Sequence, residues 1–251
     1  MLPQNALPKS KNRLDREILH RGLSQTREKA QALIMAGDVL VDGRKATKAG
    51  QLVSPESSIE ITARQRYASR GGLKLEGALL HFNIHVSGFV IADFGSSTGG
   101  FTDCLLQAGA ARVHAIDVGT GQLDWKLRND PRVVVHEGVN ARYLDPADIG
   151  EPVDFAVCDV SFISATLILP AMVNVLKSAP GTGIVVLVKP QFEVGKGQVG
   201  KGGIVRDPAQ HEAVCAKLRA CVEALGFVTQ IMASPITGAQ GNKEFLLYGR
   251  R

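Results

Sequence analysis

The sequence predicts an α/β protein whose main domain is a doubly wound, mostly parallel, seven-stranded sheet, preceded by a small α+β domain. From about residue 71 onward, strand-like apolar runs alternate with helical segments, which is the pattern of repeated βα units. The last two strand-like segments are joined by a loop alone, so we expect them to pair antiparallel. The first 63 residues instead contain two short helical segments and several short strands.

Length and composition place the 251-residue chain among ordinary globular proteins, with 45% hydrophobic and 5% aromatic residues. No apolar run approaches the ~20 residues that a membrane-spanning helix needs, and the N-terminus lacks the apolar core of a signal peptide. The four cysteines, Cys104, Cys158, Cys215 and Cys221, have neither C-x-x-C spacing nor a nearby histidine cluster. We therefore expect no disulfide framework, no metal site, and a reducing, cytoplasmic location.

The first predicted domain covers residues 1–63 and contains two helices followed by a small sheet. RLDREILHRGL places Leu14, Ile18 and Leu19 on one helical face and stops at a glycine. SQTREKAQALIMAG begins the second helix, with Ser24 as its expected N-cap. DVLVDGRKAT then predicts a hairpin with an Asp-Gly turn, and QLVSPESSIEIT supplies further short strands.

The positive charge of the chain is concentrated in its first quarter. Residues 1–70 hold 13 Lys and Arg against 7 Asp and Glu, whereas residues 71–251 hold 16 against 17. A locally basic domain favours a polyanionic partner. A solvated, charged surface without a partner is the alternative. Residues 64–70, RQRYASR, are polar and basic without a clear period, and we expect a linker there.

The segment from Arg13 to Val53 resembles the RNA-binding domain named after ribosomal protein S-four. The resemblance rests on the Arg-Leu-Asp start, the Gly-Leu-Ser junction and the Gly-x-Val-x-Val-x-Gly hairpin. It implies binding to structured RNA, in which cations contact phosphates and so position the protein without reading bases. The expected RNA-binding residues are Lys11, Arg13, Arg16, Arg27, Lys29, Arg44 and Arg70.

The second predicted domain, residues 71–251, alternates strands with helices. Its strands are FVIADFG, RVHAIDVG, RVVVHE, VDFAVCDV, GIVVLVK, FVTQIMASPI and KEFLLYGR. Its helices are GGFTDCLLQAGA, QLDWKLRND, ISATLILPAMVNVLKS and PAQHEAVCAKLRACVEALG. GIVVLVK is apolar on both faces, so it belongs in the interior of the sheet. Lys189 ends this strand, where removing an ammonium from water is most costly.

The segment VIADFGSSTGGFTDCLL predicts a strand, a glycine-rich turn and a helix start, which is the arrangement of a cofactor-binding loop. Gly95 permits the tight turn, and Gly99 and Gly100 remove side chains where the backbone approaches a ligand. Asp117 ends the next strand, 24 residues after Asp93, where an acidic residue accepts hydrogen bonds from ribose hydroxyls. The G-x-G-x-x-G pattern of dinucleotide sites and the P-loop pattern of nucleoside triphosphate sites are both absent.

DFGSSTGGFTD resembles motif I of class I, Rossmann-like S-adenosylmethionine methyltransferases, in the version of the FtsJ-like RNA methyltransferases. Thr98 stands where those enzymes commonly have proline. The resemblance implies S-adenosylmethionine as the cofactor, with its ribose held by Asp117 and its adenine near Glu137 and Asn140. The implied cofactor-binding residues are Asp93, Gly95, Ser96, Gly99, Gly100, Phe101, Asp117, Val118, Glu137 and Asn140.

Four ionisable residues stand at the ends of predicted elements: Lys74, Asp159, Lys189 and Glu244. Ligands of open α/β sheets bind outside the carboxyl ends of the strands, so we expect Asp159 and Lys189 in the same crevice as the glycine-rich loop. The motifs SRGGLKL, CDVSFIS, VKPQFE and GNKEF are similar to the Lys-Asp-Lys-Glu tetrad of FtsJ-like ribose 2'-O-methyltransferases. With the S-four-type domain before them, they resemble the TlyA family, whose members methylate cytidines of ribosomal RNA and also carry an older haemolysin name.

This resemblance implies a catalytic tetrad in which Lys189 either takes the proton of a ribose 2'-hydroxyl or only directs that hydroxyl. Burial and a second nearby cation favour the neutral amine, whereas Asp159 and Glu244 favour the charged form, and the sequence leaves the balance open. Lys74 and Glu244 would orient the ribose. After Lys189 the chain is rich in glycine, and a mobile loop with Lys196 and Lys201 near RNA fits as well as a plain surface loop.

Two other functions compete with ribosomal RNA methylation. A noncatalytic RNA-binding or ribosome-assembly factor would keep the same fold, but the intact tetrad and glycine-rich loop disfavour it. A membrane-acting haemolysin is suggested only by the older family name, and no segment is apolar or amphipathic enough to insert.

Overall fold

The computed structural model describes residues 11–62, 66–195, 197–200 and 202–251. The chain divides into two compact units, Met1–Gln65 and Arg66–Arg251. The predicted linker, 64–70, begins outside the described residues. Its described part packs on the second unit, where Tyr67 is buried and the Ala68 N–H donates to the Asp103 carboxylate at 2.8 Å.

The first unit packs two helices against short strands around a small apolar core. Its elements are β1 (Asn12–Arg13), α1 (Leu14–His20), α2 (Arg27–Ala36), β2 (Val39–Val41), β3 (Arg44–Lys45), β4 (Leu52–Val53) and β5 (Ile59–Ile61). β2 lies between β3 and β5, and β1 pairs with β4. Leu14, Ile18 and Ile34 are fully buried, whereas Leu19, expected on the same face, is 39% exposed.

Local signals set the ends of these elements, with one shift from the sequence prediction. Asp42 and Gly43 form the predicted hairpin turn in the left-handed conformation that a two-residue turn requires. α2 begins at Arg27 because the Thr26 hydroxyl, rather than that of Ser24, accepts the Lys29 N–H at 3.2 Å. The expectation of Ser24 as N-cap was therefore wrong by two residues.

The second unit contains the predicted seven-stranded sheet. Its strands are β6 (Val90–Phe94), β7 (Arg112–Asp117), β8 (Val133–Glu137), β9 (Phe155–Cys158), β10 (Gly183–Val188), β11 (Val228–Ala233) and β12 (Phe245–Arg250). The spatial order is β11-β12-β10-β9-β6-β7-β8, so the crossovers run to both sides of β6. β12 pairs antiparallel with β10 and β11, and the other strand pairs are parallel, which confirms the predicted topology.

Seven helices accompany this sheet within the described part of the chain. They are α3 (Gly71–His81), α4 (Gly100–Gln107), α5 (Trp125–Arg128), α6 (Pro146–Ile149), α7 (Leu169–Asn174), α8 (Pro190–Glu193) and α9 (Pro208–Ala224). The long helix expected over ISATLILPAMVNVLKS is instead a 3-10 turn, Ala165–Leu167, followed by the short α7. Pro170 explains the break, since proline donates no N–H and fits only the first turn of a helix.

Strand β10 is the centre of the apolar core. All six of its residues are buried; Ile184, Val186 and Val188 face one apolar cluster, and Val185 and Leu187 face the other. Full burial of such side chains stabilises the fold by about 1.5–3 kcal/mol each. The strand is thereby fixed on both faces, and so is the position of the residue that follows it. Among the helices of the described residues, none has the length and apolar character to span a membrane.

Candidate active site

The glycine-rich loop lies at the carboxyl end of β6 and leads into α4. Gly95 and Gly99 have φ values of 84° and 94°, a region that glycine adopts without strain. A β-carbon on Gly95 would lie 2.9 Å from the backbone oxygen of Asp159, and one on Gly100 would lie 2.2 Å from the Ser69 hydroxyl. The loop therefore packs directly against the end of β9, and side chains at these positions would push it away.

Two cavities open beside this loop. One of about 120 Å³ is lined by Lys74, Ser96, Gly100 and Phe101 among others. The other, of about 500 Å³, is lined by Asp117, Val118, Asn140 and Phe162 among others. They meet at Gly95, Ser97 and Asp159, which line both. Of the implied cofactor-binding residues, only Asp93, Gly99 and Glu137 line neither cavity.

Polar groups around the larger cavity already have partners within the chain. The Asp117 carboxylate accepts the Ser97 N–H at 2.8 Å and the Gly119 N–H at 2.7 Å, so it joins the glycine-rich loop after β6 to the turn after β7. Glu137 is paired with Arg128, a hydrogen bond that lowers the pKa of Glu137. Glu137 also accepts the Gly121 N–H of the turn after β7 at 2.9 Å, and it lines neither cavity.

Lys74 and Glu244 form a buried pair at the smaller cavity. Lys74 Nζ donates to Glu244 Oε2 at 2.5 Å. The two residues are 9% and 4% exposed, so each charge has lost most of its water and depends on the other. Lys74 lies on α3 and Glu244 immediately precedes β12, so the pair joins two elements that are distant in sequence.

Lys189 and Asp159 form the second pair. Lys189 Nζ lies 2.6 Å from Asp159 Oδ1 and donates to the Ser161 hydroxyl at 2.7 Å. The Nζ–Oδ1 distance is that of an ion pair, but the direction of approach is not that of a hydrogen bond, so among the described residues Oδ1 has no hydrogen-bond donor. β9 and β10 are parallel neighbours, which brings the residues after both strands to one edge of the sheet.

The structure thus brings the four predicted catalytic residues to one place. Lys74 and Asp159 line the same small cavity, and each holds its partner, Glu244 or Lys189, beside it. Two ammonium groups that are each balanced by a carboxylate provide donors and acceptors for a hydroxyl without leaving a net buried charge. The adjacent glycine-rich loop and larger cavity provide room for a cofactor at the same strand ends.

Comparison with known proteins identifies the families to which the two units correspond. The model of the FtsJ-like methyltransferase family matches residues 67–251, and that of the S4 domain matches residues 12–59. The chain belongs to the FtsJ-like methyltransferase family. It is therefore a methyltransferase, and its family and fold support S-adenosylmethionine as the cofactor.

Several relatives of this FtsJ-like methyltransferase share both units. The 16S/23S rRNA (cytidine-2'-O)-methyltransferase TlyA of Mycobacterium tuberculosis is 48% identical over 241 residues, covering 95% of this chain and 89% of that protein. Hemolysin A of Brachyspira hyodysenteriae is 42% identical over 238 residues, covering 94% and 98%. A solved structure from Streptococcus thermophilus that carries a hemolysin name is 44% identical, covers 97% of this chain and 89% of that one, and has a TM-score of 0.76.

The residues at the loop fit S-adenosylmethionine, which carries a cationic sulfonium and ammonium next to a nucleoside. Asp159 lines both cavities, and its Oδ1 has no hydrogen-bond donor among the described residues; such an atom is costly unless a ligand or water reaches it. The glycines leave backbone rather than side chains at the cavity wall. Ser96 and Phe101 lie at the small cavity, and Asp117, Val118 and Asn140 at the larger one.

Asp93 is fully buried beneath the loop instead of lining a cavity. Its Oδ2 accepts the Thr102 hydroxyl at 2.6 Å. Burial raises the pKa of Asp93 to about 7, and the negative charge of nearby Asp159 adds to the rise. A cation bound above the loop would favour the ionised carboxylate. Asp93 is thus a buried acid beneath the cofactor loop, and its predicted contact with the cofactor remains a prediction.

Sequence reasoning missed three residues of the site. Ser161 holds Lys189, as described above. Phe162 is 92% exposed and has a φ of 67°, which is unusual for a bulky residue and concentrates at functional sites. Gly238 leaves space for Glu244, since a β-carbon there would lie 1.9 Å from Glu244 Oε1. The DVSFIS motif contained the first two, but only the fold shows what they contact.

The predicted RNA-binding cations of the first unit differ in availability. Arg13 and Arg27 both pair with Asp15, at 3.0 and 2.9 Å, and the hydrogen bond from Arg13 is the main reason why the pKa of this buried carboxyl is lowered. Arg16 and Arg44 are exposed and have no acidic partner within the described ranges. Lys11 is also exposed, whereas Arg70 belongs to the second unit and donates to the Thr237 backbone oxygen at 3.0 Å.

Two cations of the glycine-rich segment after β10, Lys196 and Lys201, lie outside the described residues. Lys45 and Lys48 of the first unit, which were not among the predicted contacts, are exposed. These two lysines add to the positive charge of the same unit.

Asp93→Asn should change how stability depends on pH. Because the pKa of Asp93 is raised from 3.8 to about 7, the folded protein keeps a proton that the unfolded chain releases. Wild-type stability should therefore fall between about pH 4 and pH 7, by at most about 1.4 kcal/mol per unit. The asparagine variant lacks this decrease. Urea unfolding of both proteins from pH 5 to 8, followed by circular dichroism, measures the difference; a pH-independent difference would contradict the raised pKa.

Gly238→Ala should disrupt the Lys74–Glu244 pair, because its β-carbon would occupy the position of the Glu244 carboxylate. We expect methyl transfer to slow by about 10-fold or more, with the affinity for S-adenosylmethionine little changed. Gly195→Ala is a matched control, since its β-carbon would make only an ordinary contact at 3.5 Å. Wild-type turnover in the Gly238 variant would show that the position of Glu244 is not critical.

Proposed function

We propose that the protein transfers the methyl group of S-adenosylmethionine to a ribose 2'-hydroxyl of ribosomal RNA, at a cytidine. The observation that carries the proposal is the meeting of the two Lys–carboxylate pairs at one small cavity beside the cofactor loop. The name of the TlyA relative supports the RNA, the ribose oxygen and the cytidine. Action on ribosomal RNA also supports the expected cytoplasmic location.

In this proposal each of the four charged residues has a separate role in activating or orienting the ribose 2'-hydroxyl. Bound S-adenosylmethionine supplies an electrophilic methyl group. Lys189 acts as the neutral amine: after releasing its ammonium proton to water, it takes the proton of the 2'-hydroxyl, and Asp159 holds the Lys189 side chain at 2.6 Å. Lys74 and Glu244, locked together at 2.5 Å, bind and orient the ribose. The chain thereby fixes the attacking oxygen in one direction, which is the main way a rigid site accelerates a transfer between two bound groups.

Phe162 is the residue we assign to the base of the target nucleotide. Its exposed ring lies 5.2 Å from the ring of Phe192, which in turn lies 6.0 Å from Lys189 Nζ. An enzyme that modifies a nucleotide of folded RNA takes it out of its stack, and an exposed aromatic ring replaces the stacking that the base gives up.

The first unit supplies the sequence-independent part of binding. Its exposed cations, above all Arg16 and Arg44, contact RNA phosphates and so bring the nucleotide to the second unit. Arg13 and Arg27 contribute less charge because Asp15 balances them.

The proposed reaction is tested by incubating the protein with labelled S-adenosylmethionine and separate small and large ribosomal subunits. Label should enter ribosomal RNA, and the modified position should resist alkali because its 2'-hydroxyl is blocked. Cofactor binding by calorimetry without any transfer would favour the noncatalytic assembly factor. Release of dye from liposomes would favour the haemolysin.

Lys189→Ala should abolish methyl transfer, because it removes the amine that is paired with Asp159, whereas Lys74 is held by Glu244. Cofactor affinity should stay within a few-fold of wild type, since Lys189 is not among the implied cofactor residues. Transfer is measured with labelled cofactor and binding by calorimetry. Turnover near the wild-type rate in this variant would exclude Lys189 from the reaction.

Removing Arg16 and Arg44 together, as alanine variants, should weaken RNA binding for every sequence tested. The slope of log affinity against log salt should fall by about one for each phosphate that the variant no longer neutralises. Arg219→Ala is the control, since it removes one exposed cation from α9 of the second unit. Unchanged affinity and salt slope in the double variant would contradict a phosphate-binding role for this face.

A further inference from the structure

The Lys189 amine contacts two groups within the chain, and the one that accepts its hydrogen bond belongs to a residue that the tetrad does not include. Besides Asp159 Oδ1 at 2.6 Å, its Nζ contacts the Ser161 hydroxyl at 2.7 Å. Ser161 follows Asp159 by two residues in the loop after β9, so one short segment presents both the carboxylate and the hydroxyl to the lysine that follows the neighbouring strand.

The two contacts together decide the direction in which the lone pair of the amine points. A neutral lysine has two N–H groups and one lone pair, in a tetrahedral arrangement. The hydrogen bond to the Ser161 hydroxyl fixes one N–H, and the Asp159 carboxylate at 2.6 Å repels the lone pair, so the lone pair is directed away from both groups. With Asp159 alone, the amine would turn about its last carbon–nitrogen bond and the lone pair would sweep over many directions.

Further contacts hold Ser161 at this distance from Lys189. Glu193, on the helix that begins directly after Lys189, accepts the Ala165 N–H and the Ser164 hydroxyl, each at 2.6 Å. The ring of Phe162 lies 5.2 Å from that of Phe192 on the same helix. The hydrogen bonds of Glu193 and the contact between the two phenylalanine rings therefore hold the segment that carries Ser161 against the helix that follows Lys189.

We infer that Ser161 is a positioning residue for the reaction: its hydroxyl accepts from Lys189 Nζ and, with Asp159, aims the amine at the ribose 2'-hydroxyl. This inference rests on the proposed function, in which Lys189 receives that proton. As the proton passes from the hydroxyl oxygen to Nζ, the resulting ammonium keeps both contacts and gains one N–H, so no group beside it has to move.

The test compares three serine variants with the wild type. Ser161→Ala should lower kcat for ribosomal RNA by about 10- to 100-fold, which is the size of effect expected from a misdirected reacting group. Ser161 also lines the larger cavity, but because the inference assigns its hydroxyl to Lys189, KM for RNA and Kd for S-adenosylmethionine should change less than about two-fold. Ser161→Thr, which keeps the hydroxyl at an exposed position, should restore most of kcat. Ser178→Ala removes an exposed serine on the amino side of β10 and should behave as wild type.

A second readout does not depend on activity. In protein labelled with ¹⁵N-lysine, the Lys189 side-chain protons should exchange faster with water in Ser161→Ala than in the wild type, and Ser161→Thr should restore slow exchange. A wild-type kcat in Ser161→Ala overturns the inference, as does an equal decrease of kcat, RNA affinity and cofactor affinity. Failure of the wild-type protein to methylate either ribosomal subunit overturns the proposed function itself, and the exchange rates then show whether Ser161 still orders the amine.

Discussion

The ion pair between Lys189 and Asp159 is the interaction on which the site depends. β10 is buried on both faces and Lys189 follows it directly, so an ammonium lies next to the most deeply buried strand of the sheet. Such a charge is tolerated only beside an opposite charge. The parallel register of β9 and β10 supplies it, because the residue after β9 comes to the same edge. The constraint that stabilises the sheet thereby also fixes the reactive group.

The Lys74–Glu244 pair also balances a buried ammonium with a carboxylate, but its two residues do not follow parallel strands of the sheet. Lys74 comes from α3 and Glu244 directly precedes β12. The Lys74 side chain is as buried as that of Lys189, and the Glu244 side chain is more buried than that of Asp159. Their contact requires the glycine at 238, since a side chain there would take the place of the carboxylate. Rigid pairing of this kind leaves little freedom for either residue, which suits groups that hold a ribose in a single orientation.

The sequence predicted the strands, their mostly parallel pairing and the residues that follow them, because buried strands and glycine-rich turns leave strong local patterns. It did not predict α3, whose start contains two glycines, or the break before α7. At the site, Lys189 and Asp159 could be placed because strand ends share an edge. The balancing of Arg13 and Arg27 by Asp15, the burial of Asp93 and the contact of Ser161 with Lys189 depend on packing between segments distant in sequence, which no local pattern encodes.

The position of β12 has a consequence for how the second unit folds. β10 is its most apolar strand, and one of its two edges is covered only by β12, which comes after β11 in the chain. Until β12 inserts between β10 and β11, β10 presents an open, uncharged edge, the kind of surface through which folding intermediates aggregate. Slow insertion of this strand would limit the yield of folded protein, and the same step delivers Glu244 to Lys74. Solubility during folding and completion of the tetrad therefore depend on one event.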